Sequence, residues 1–498
     1  MKNKVILAGA GIGSADNITL AVKKALDEAD VIIYDRLLNK NIIMPYLNSK
    51  ETYYVGKSID KHTLSQEDIN KLLVDKAKEG KKVVRLKGGD PYIFARGGEE
   101  ALYLSENGLD FEVLPGLTSG TVCLNTAGIV PTFRDISTSI SFITGHREKS
   151  KPSNFSQYAK LDGTLVFYMG LKNLENIVYD LIRGGIDQKK PLAIISNGAS
   201  GDQEVYTSTI GQVLNEVNLY KVRTPSIIVI GDTVSLRRNL NYFEQKTLFG
   251  KTIALTRDLA NSLILANHIE ALGGKALILP TIKINPINQE KLEKDIKNFD
   301  YDYLVFTSVN AVRIFFDKFI GLRDIRDLAG VKIAAIGEKT KEEIEKYYLK
   351  VNIVPEKYQG EFLVKKLGSY LNKESKVYFP HSNLSRKEVA DSIKSISNLT
   401  ELAIYENIIP EEAFEIDEKI DAIMFSSSST VDNFICMYGK NILEDTQIYS
   451  IGDITTQVIE SYGLKVYKQA DKSTIASLIE LIKENIKWEW EESETLKY

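Results

Sequence analysis

Short β-branched runs that alternate with helical stretches limit the folds open to this chain. VILAG, DVIIYD, KVVRL, ISFITG, TLVFYMG, PLAIIS and SIIVIG follow one another in this way up to Gly231, and the alternation predicts α/β structure throughout. RRNLNYFEQKTLFG, from Arg237 to Gly250, is then polar and charged, and GKTIALTR starts a fresh strand. A domain boundary is therefore expected near 245, dividing a domain over 1–243 from one over 248–490, each able to fold and act alone. The second half repeats itself. DYLVFTSVNAVRIFF from Asp302 matches DAIMFSSSSTVDNFI from Asp421, and KIAAIGEKTKEEI from Lys332 matches QIYSIGDITTQVI from Gln447. Two copies of one α/β unit predict a two-lobed module with a cleft between its lobes.

Composition narrows the class. A chain of 498 residues is too long for one ordinary core, and domains of about 100 to 200 residues are expected. With 43% hydrophobic and 26% charged residues it reads as soluble and globular, and a formal net charge of -4 gives no global drive toward nucleic acid. Cys123 and Cys436 lie far apart, as do His62, His146, His268 and His381. That leaves no zinc spacing and fits a reducing compartment. The opening MKNKVILAGAGIG has only a short apolar run without a cleavage-like site, and no segment reaches the roughly 18 apolar residues of a membrane span. A cytoplasmic protein without membrane or metal partners is expected. KWEWEESETLKY at the end is acidic and lacks apolar periodicity, so residues 491–498 read as a frayed tail.

Two glycine loops carry the chemistry. In RLKGGDPYIFARGGEE, Arg85 to Glu100, the strand KVVRL ends in Gly88 and Gly89, and helix formers resume at GGEEALYL. Without a Cβ, such residues let a bound molecule lie against their backbone, and Asp90 adds a carboxylate nearby. A tight turn with a capping aspartate is the plainer alternative. The loop GAGIG, Gly9 to Gly13, follows KVILA and suggests a dinucleotide fingerprint, with Asp35 after VIIY as its ribose acid; Ser14 stands where the third glycine belongs. A nicotinamide-dependent dehydrogenase is thus a rival reading of this loop.

The combination says more than any piece. GAGIGSADNITL, ADVIIYDRLL, VGK, RLKGGDPYIFARGGEE, LPGLTSG, PTFRD, TGH, VFYMGL and NGAS occur in the order and spacing of the tetrapyrrole methylase family. Residues 1 to 240 most resemble its uroporphyrinogen-III C-methyltransferase branch, through YDRL, VGK and RLKGGDP. The resemblance implies two α/β lobes, paired as a homodimer, that hold S-adenosylmethionine between them. It places the donor against Ile12, Gly88, Gly89, Asp90, Ile93, Thr118, Ser119, Met169 and Gly198. It makes Asp35 the proton acceptor and Lys57 the proton donor, with Arg85 near the substrate. The chemistry agrees, because a pyrrole carbon that takes a methyl group must then shed a proton. Arg85, Lys87, Arg96, Arg134 and Arg147 are candidates for the substrate's carboxylates. The first loop departs from the family's G-x-G-P-G-D, with Gly11-Ile12-Gly13-Ser14 replacing proline and aspartate. Ser14 or Asp16 is expected to cap in their place. Another tetrapyrrole remains an alternative substrate.

Residues 250 to 490 resemble uroporphyrinogen-III synthase through KTIALTR, VFTSVNAV, AAIGEKT, LAIYEN, MFSSSST and YSIGDITT. This implies closure of linear hydroxymethylbilane with inversion of the last pyrrole ring. It places Tyr405 near the leaving hydroxyl and Thr307, Ser308, Ser427 and Thr455 as donors to substrate carboxylates. Helix capping is the competing role for each of these hydroxyls. Taken alone, this half also admits a binding module without catalysis. Together the halves imply conversion of hydroxymethylbilane to uroporphyrinogen III and its methylation to precorrin-2, on the route to sirohaem and cobalamin.

Overall fold

The computed structural model describes residues 4–47, 49–56, 64–146, 154–357, 360–385, 387–411, 413–414, 416, 418–472 and 474–485. Lys57, Arg147 and the tail 491–498 lie outside the described residues. Among the described residues the fold is α/β, built on four five-stranded sheets.

The first sheet takes β1 (Lys4–Gly9), β2 (Val31–Tyr34), β3 (Glu51–Tyr54), β4 (Val83–Lys87) and β5 (Asp110–Leu114). They run in the order β3-β2-β4-β1-β5, all pairs parallel. Parallel strands need helical crossovers that cover the faces of a sheet, and this is why the central strands read as unbroken apolar runs. β4 is buried at every position although it carries Arg85 and Lys87. The second sheet takes β6 (Ile140–Thr144), β7 (Thr164–Tyr168), β8 (Pro191–Ser196), β9 (Glu204–Thr209) and β10 (Ser226–Ile230). Its order is β6-β7-β10-β8-β9, and only the β6–β7 pair is parallel.

β11 (Thr252–Leu255) and β12 (Lys275–Ile278) begin a third sheet. The chain then builds a fourth from β13 (Lys283–Pro286), β14 (Tyr303–Phe306), β15 (Lys332–Ala335), β16 (Lys376–Ser382) and β17 (Asn398–Ile408). It returns to the third with β18 (Ala422–Phe425), β19 (Gln447–Ser450) and β20 (Val466–Gln469). The third sheet runs β12-β11-β18-β19-β20 and the fourth β13-β17-β16-β14-β15. The repeat seen in the sequence is one copy per sheet. In the fourth sheet β14 is followed by the helix Val309–Leu322 and β15 by Glu338–Glu345; in the third, β18 is followed by Ser428–Tyr438 and β19 by Asp453–Ser461.

By compactness the chain divides into Met1–Leu279 with Phe414–Tyr498, and Pro280–Ala413. The first unit therefore holds three of the sheets, and its packing runs through position 245. Leu248 and Phe249 are buried, and Met44 shares a core with Leu248, Ile253, Leu255, Leu265 and Ile269. RRNLNYFEQKTLFG is thus a packed segment. Its polar residues close on one another, Glu244 accepting hydrogen bonds from Arg237, Gln203 and Asn241.

Candidate functional site

The candidate site of the first unit is made by loops at the carboxyl ends of strands, where an open α/β sheet offers backbone amides to a ligand. The loop after β1 and the loop after β4 join as a two-residue bridge, in which the Gly11 amide donates to the Gly89 carbonyl at 3.1 Å and the Gly89 amide to the Gly11 carbonyl at 2.8 Å. Gly88 lies so close to the backbone of the β2 loop that a Cβ would overlap the Leu37 carbonyl oxygen. Gly89 differs, because at φ +73° its Cβ position looks onto open space. That is a cradle a ligand can fill and a side chain would obstruct. The Asp90 carboxylate accepts from the Tyr92 amide at 2.8 Å and the Gly116 amide at 3.1 Å. It ties the loop after β4 to the loop after β5, so the capping role is real.

Ile12 and Ile93 pack on the cluster that holds Cys123, Leu124 and Tyr168. Burial pushes the Cys123 thiol up to about 12, leaving it protonated. The Tyr168 hydroxyl accepts from the Gly120 amide at 2.7 Å and bonds the Thr118 hydroxyl at 2.8 Å. Thr118 and Ser119, at the start of the helix Ser119–Thr126, are thereby fixed to the end of β7. Met169, next in the chain, has φ +55° and is 54% exposed. Phe94, Arg96, Asn197 and Ala199 also take positive φ. Such strained residues gather at functional loops more than elsewhere. Gly198 has a packing reason of its own, since a Cβ would overlap the Cys123 sulfur.

Asp35 follows β2 and faces a buried charge network. Arg85 Nη2 donates to both of its carboxylate oxygens, at 2.8 and 2.9 Å. Arg85 is 1% exposed and Glu100 fully buried. Arg85 Nε donates to Glu100 Oε1 at 3.2 Å, and Lys87 Nζ to the same oxygen at 2.7 Å. Gln66 adds a third contact to that oxygen through its amide at 3.2 Å. Two cations and two carboxylates balance, which is what allows β4 to bury them. Burial, then the charge of Arg85, lowers the Lys87 ammonium below the ordinary lysine value. Glu100 Oε2 is buried without a hydrogen-bond partner among the described residues. Arg85 therefore meets any ligand through Asp35, and its guanidinium is not displayed to a substrate. Lys87 is likewise inside, Arg96 pairs with Glu99 on the surface, and Arg134 is exposed. Lys57 and Arg147 lie outside the described residues.

The dinucleotide reading of the first loop fails on geometry. That fingerprint needs a helix opening at the glycines, whereas a 3-10 turn, Ala15–Asn17, intervenes and the helix begins only at Leu20 with Thr19 as its cap. Asp35, the supposed ribose acid, has both oxygens on Arg85. Ser14 caps the short turn, its hydroxyl accepting from the Asp16 amide at 3.3 Å.

In the unit Pro280–Ala413, Ser308 caps the helix Val309–Leu322 by accepting from the Ala311 amide at 3.1 Å. The Tyr405 hydroxyl donates to the same oxygen at 2.9 Å, and Tyr405 is 4% exposed. Thr307, beside Ser308, is half-buried. In the other unit Ser427 caps Ser428–Tyr438 through a reciprocal pair with Thr430. Thr455 is buried at 3% exposure, while its neighbour Ile454 is 72% exposed. That helix start presents the isoleucine and buries Thr455, whereas Ser427 is part-exposed.

Sequence reasoning missed Glu100, Tyr168 and Gln66. A signal for Glu100 existed, because a central strand carrying an arginine and a lysine needs a buried acid to balance them. Among the described residues no His, Cys, Asp and Glu cluster suits a metal ion, and no helix is long and apolar enough to cross a membrane.

Comparison with known proteins finds relatives of both halves. Residues 4–214 match the tetrapyrrole (corrin/porphyrin) methylases, and residues 264–480 match uroporphyrinogen-III synthase HemD. The chain is 35% identical over 493 residues to the porphyrin biosynthesis protein HemD of Ruminiclostridium josui, covering 96% of this chain and 97% of that protein. It is 43% identical over 238 residues to uroporphyrinogen-III C-methyltransferase of Methanocaldococcus jannaschii, covering 47% of this chain and 98% of the relative. A structure of uroporphyrin-III C-methyl transferase from Thermus thermophilus complexed with S-adenyl homocysteine is 33% identical, covering 47% of this chain and 99% of that one, with a TM-score of 0.41.

Proposed function

This chain belongs to the tetrapyrrole methylases through its first half and to the uroporphyrinogen-III synthases through its second, and on that footing we propose a bifunctional enzyme of tetrapyrrole biosynthesis. Its second half closes hydroxymethylbilane to uroporphyrinogen III with inversion of the last ring. Its first half methylates that product at C2 and C7 to precorrin-2. The observation that carries the methylase assignment is the meeting of the Gly11–Gly89 bridge, with open space at Gly89, and an Asp35 carboxylate held by Arg85.

S-adenosylmethionine supplies a sulfonium-bound methyl group that a pyrrole carbon can take. Gly88, Gly89 and Asp90 offer it backbone, Ile12, Ile93 and Met169 offer apolar contact, and Thr118, Ser119 and Gly198 complete the rim. Asp35 accepts the proton that the methylated ring sheds, and Arg85 fixes the plane of that carboxylate. Lys57 serves as the proton donor. In the second half, departure of the hydroxyl leaves a stabilised cation, so little acid–base machinery is required. Tyr405, oriented by its bond to Ser308, assists that departure, while Thr307 and Ser308 contact substrate carboxylates; Ser427, in the other unit, is a further candidate for that role. We assign residues 1–243 to methylation and 248–490 to ring closure, in a cytoplasmic protein. Pairing as a homodimer through the methylase half is part of the same reading, and its mass in solution tests it.

Products formed from hydroxymethylbilane and S-adenosylmethionine test the function by mass spectrometry. We expect uroporphyrinogen III without the donor and a doubly methylated product with it. Binding of NAD in place of S-adenosylmethionine, or methylation only of other tetrapyrroles, would overturn the reading.

A further inference from the structure

Glu270 lies near the end of the helix Leu259–Ala271, far in sequence from the donor loops, yet its side chain reaches them. Oε1 accepts from Asn41 Nδ2 at 2.8 Å and from Asn39 Nδ2 at 3.2 Å, while Oε2 accepts from the Ala15 amide at 3.4 Å. Asn39 Nδ2 also donates to the Gly13 carbonyl at 2.9 Å, and the Asn39 side-chain oxygen caps the helix Lys40–Ile43 by accepting from the Asn41 amide. One carboxylate thus binds the loop that follows β1 to the loop that follows β2 and carries Asp35. The attachment is not a loose surface contact. Asn41 is 8% exposed, and Met44, three residues on, is buried among Leu265, Ala266 and Ile269 of the same helix.

We propose that Glu270 is a positioning residue for the methyl donor, through which the second half of the chain holds the first glycine loop in its binding shape. The proposal rests on the methyltransferase reading above. The front of this loop is held at Gly11 by the bridge to Gly89 and at the Ile12 carbonyl by the Asn17 side chain, whereas Gly13 and Ala15, on either side of Ser14, are held by Asn39 and Glu270. Hydrogen bonds to a carboxylate are the strong kind. Without them the loop samples other shapes, and donor affinity falls by the fraction of time it is misplaced. Because the donor is affected and the chemical step is not, the Michaelis constant for S-adenosylmethionine should rise while turnover at saturation holds.

The test uses the full chain carrying Glu270→Ala, with Glu270→Gln as a second variant that keeps one acceptor for Asn41 but loses the charge. The readouts are kcat and KM for S-adenosylmethionine, calorimetric affinity for S-adenosylhomocysteine, and synthase turnover on hydroxymethylbilane in the same preparation. We expect KM and the dissociation constant to rise about tenfold in Glu270→Ala, which removes all three hydrogen bonds to the loops, and less in Glu270→Gln, with kcat within about twofold. Synthase turnover should stay at the wild-type level. Wild-type donor affinity in a folded Glu270→Ala chain overturns the coupling, and so does a parallel loss of synthase turnover, which marks general destabilisation. A wild-type chain that neither binds the donor nor transfers methyl overturns the underlying methyltransferase reading, a failure that the wild-type arm identifies separately.

Discussion

Asp35 carries two roles that a single substitution separates. As the proton acceptor it acts on the ring; as the partner of Arg85 it neutralises part of a buried charge cluster. Asp35→Asn keeps the shape and one accepting oxygen but removes the base, so methyl transfer should fall by about 10² to 10⁴. Donor affinity should barely change. The melting temperature should also fall, because loss of the Asp35 charge leaves the buried Arg85 and Lys87 with Glu100 alone to balance them. Label transfer from S-adenosylmethionine to uroporphyrinogen III, with donor affinity and melting temperature on the same sample, reads all three. Near wild-type turnover in the folded variant would remove Asp35 from the reaction and leave it as a structural counter-ion.

At the scale of the element, the turn after β4 makes two neighbouring glycines do different work, and that difference is measurable. A Cβ at Gly88 would overlap the Leu37 carbonyl oxygen, so Gly88→Ala should fail to fold or melt far below the wild type. Gly89→Val meets open space, and its folding cost is limited to holding φ +73°, about 1 to 2 kcal/mol. It should fold, lose S-adenosylmethionine binding by calorimetry, and keep synthase activity. Undiminished donor affinity in Gly89→Val would take the loop out of the site. The sequence made this turn legible, because apolar runs that end in glycine pairs point to strand-end loops. It did not reveal that Arg85 and Lys87 lie inside. A period of two tells which residues share a face, while the acid that lets cations be buried, Glu100, comes from a helix whose docking depends on the whole sheet. The burial of Thr455 was not legible for a related reason: helix starts can be read from the sequence, but the phase that exposes Ile454 and buries Thr455 is set by packing.

Across the whole chain, the segment RRNLNYFEQKTLFG beside the expected boundary is packed on the first half. A domain boundary is expected near 245, yet Phe243, Leu248 and Phe249 of this segment are buried and Glu244 is held by hydrogen bonds, while Arg238, Leu240 and Tyr242 stay exposed. Glu244 accepts from Arg237 at 2.6 Å, from Asn241 at 2.7 Å and from Gln203 at 2.9 Å, and Phe243 packs against Phe249 with ring centroids 5.7 Å apart. The Gly250 amide donates to the Gly201 carbonyl at 2.8 Å. Cutting after residue 243 therefore removes Glu244 and leaves Gln203 and Arg237 without it, whereas cutting after 250 keeps this brace but still loses Glu270. Leaving buried partners of a charged group unpaired costs about 1 to 3 kcal/mol, and each kcal/mol moves the midpoint of a domain this size by roughly 2 to 4 °C. A fragment 1–250 should consequently melt several degrees above 1–243. Both should still methylate uroporphyrinogen III at a high donor concentration, since Asp35 and the Gly11–Gly89 bridge lie wholly within them. Both should need about tenfold more S-adenosylmethionine than the full chain, the shift expected for loss of the Glu270 carboxylate. Calorimetric melting and donor titration of the two fragments beside the full chain decide the matter. Equal melting of the fragments would show that the segment does not brace the first half, and full-chain donor affinity in either would show that the second half does not hold the loop.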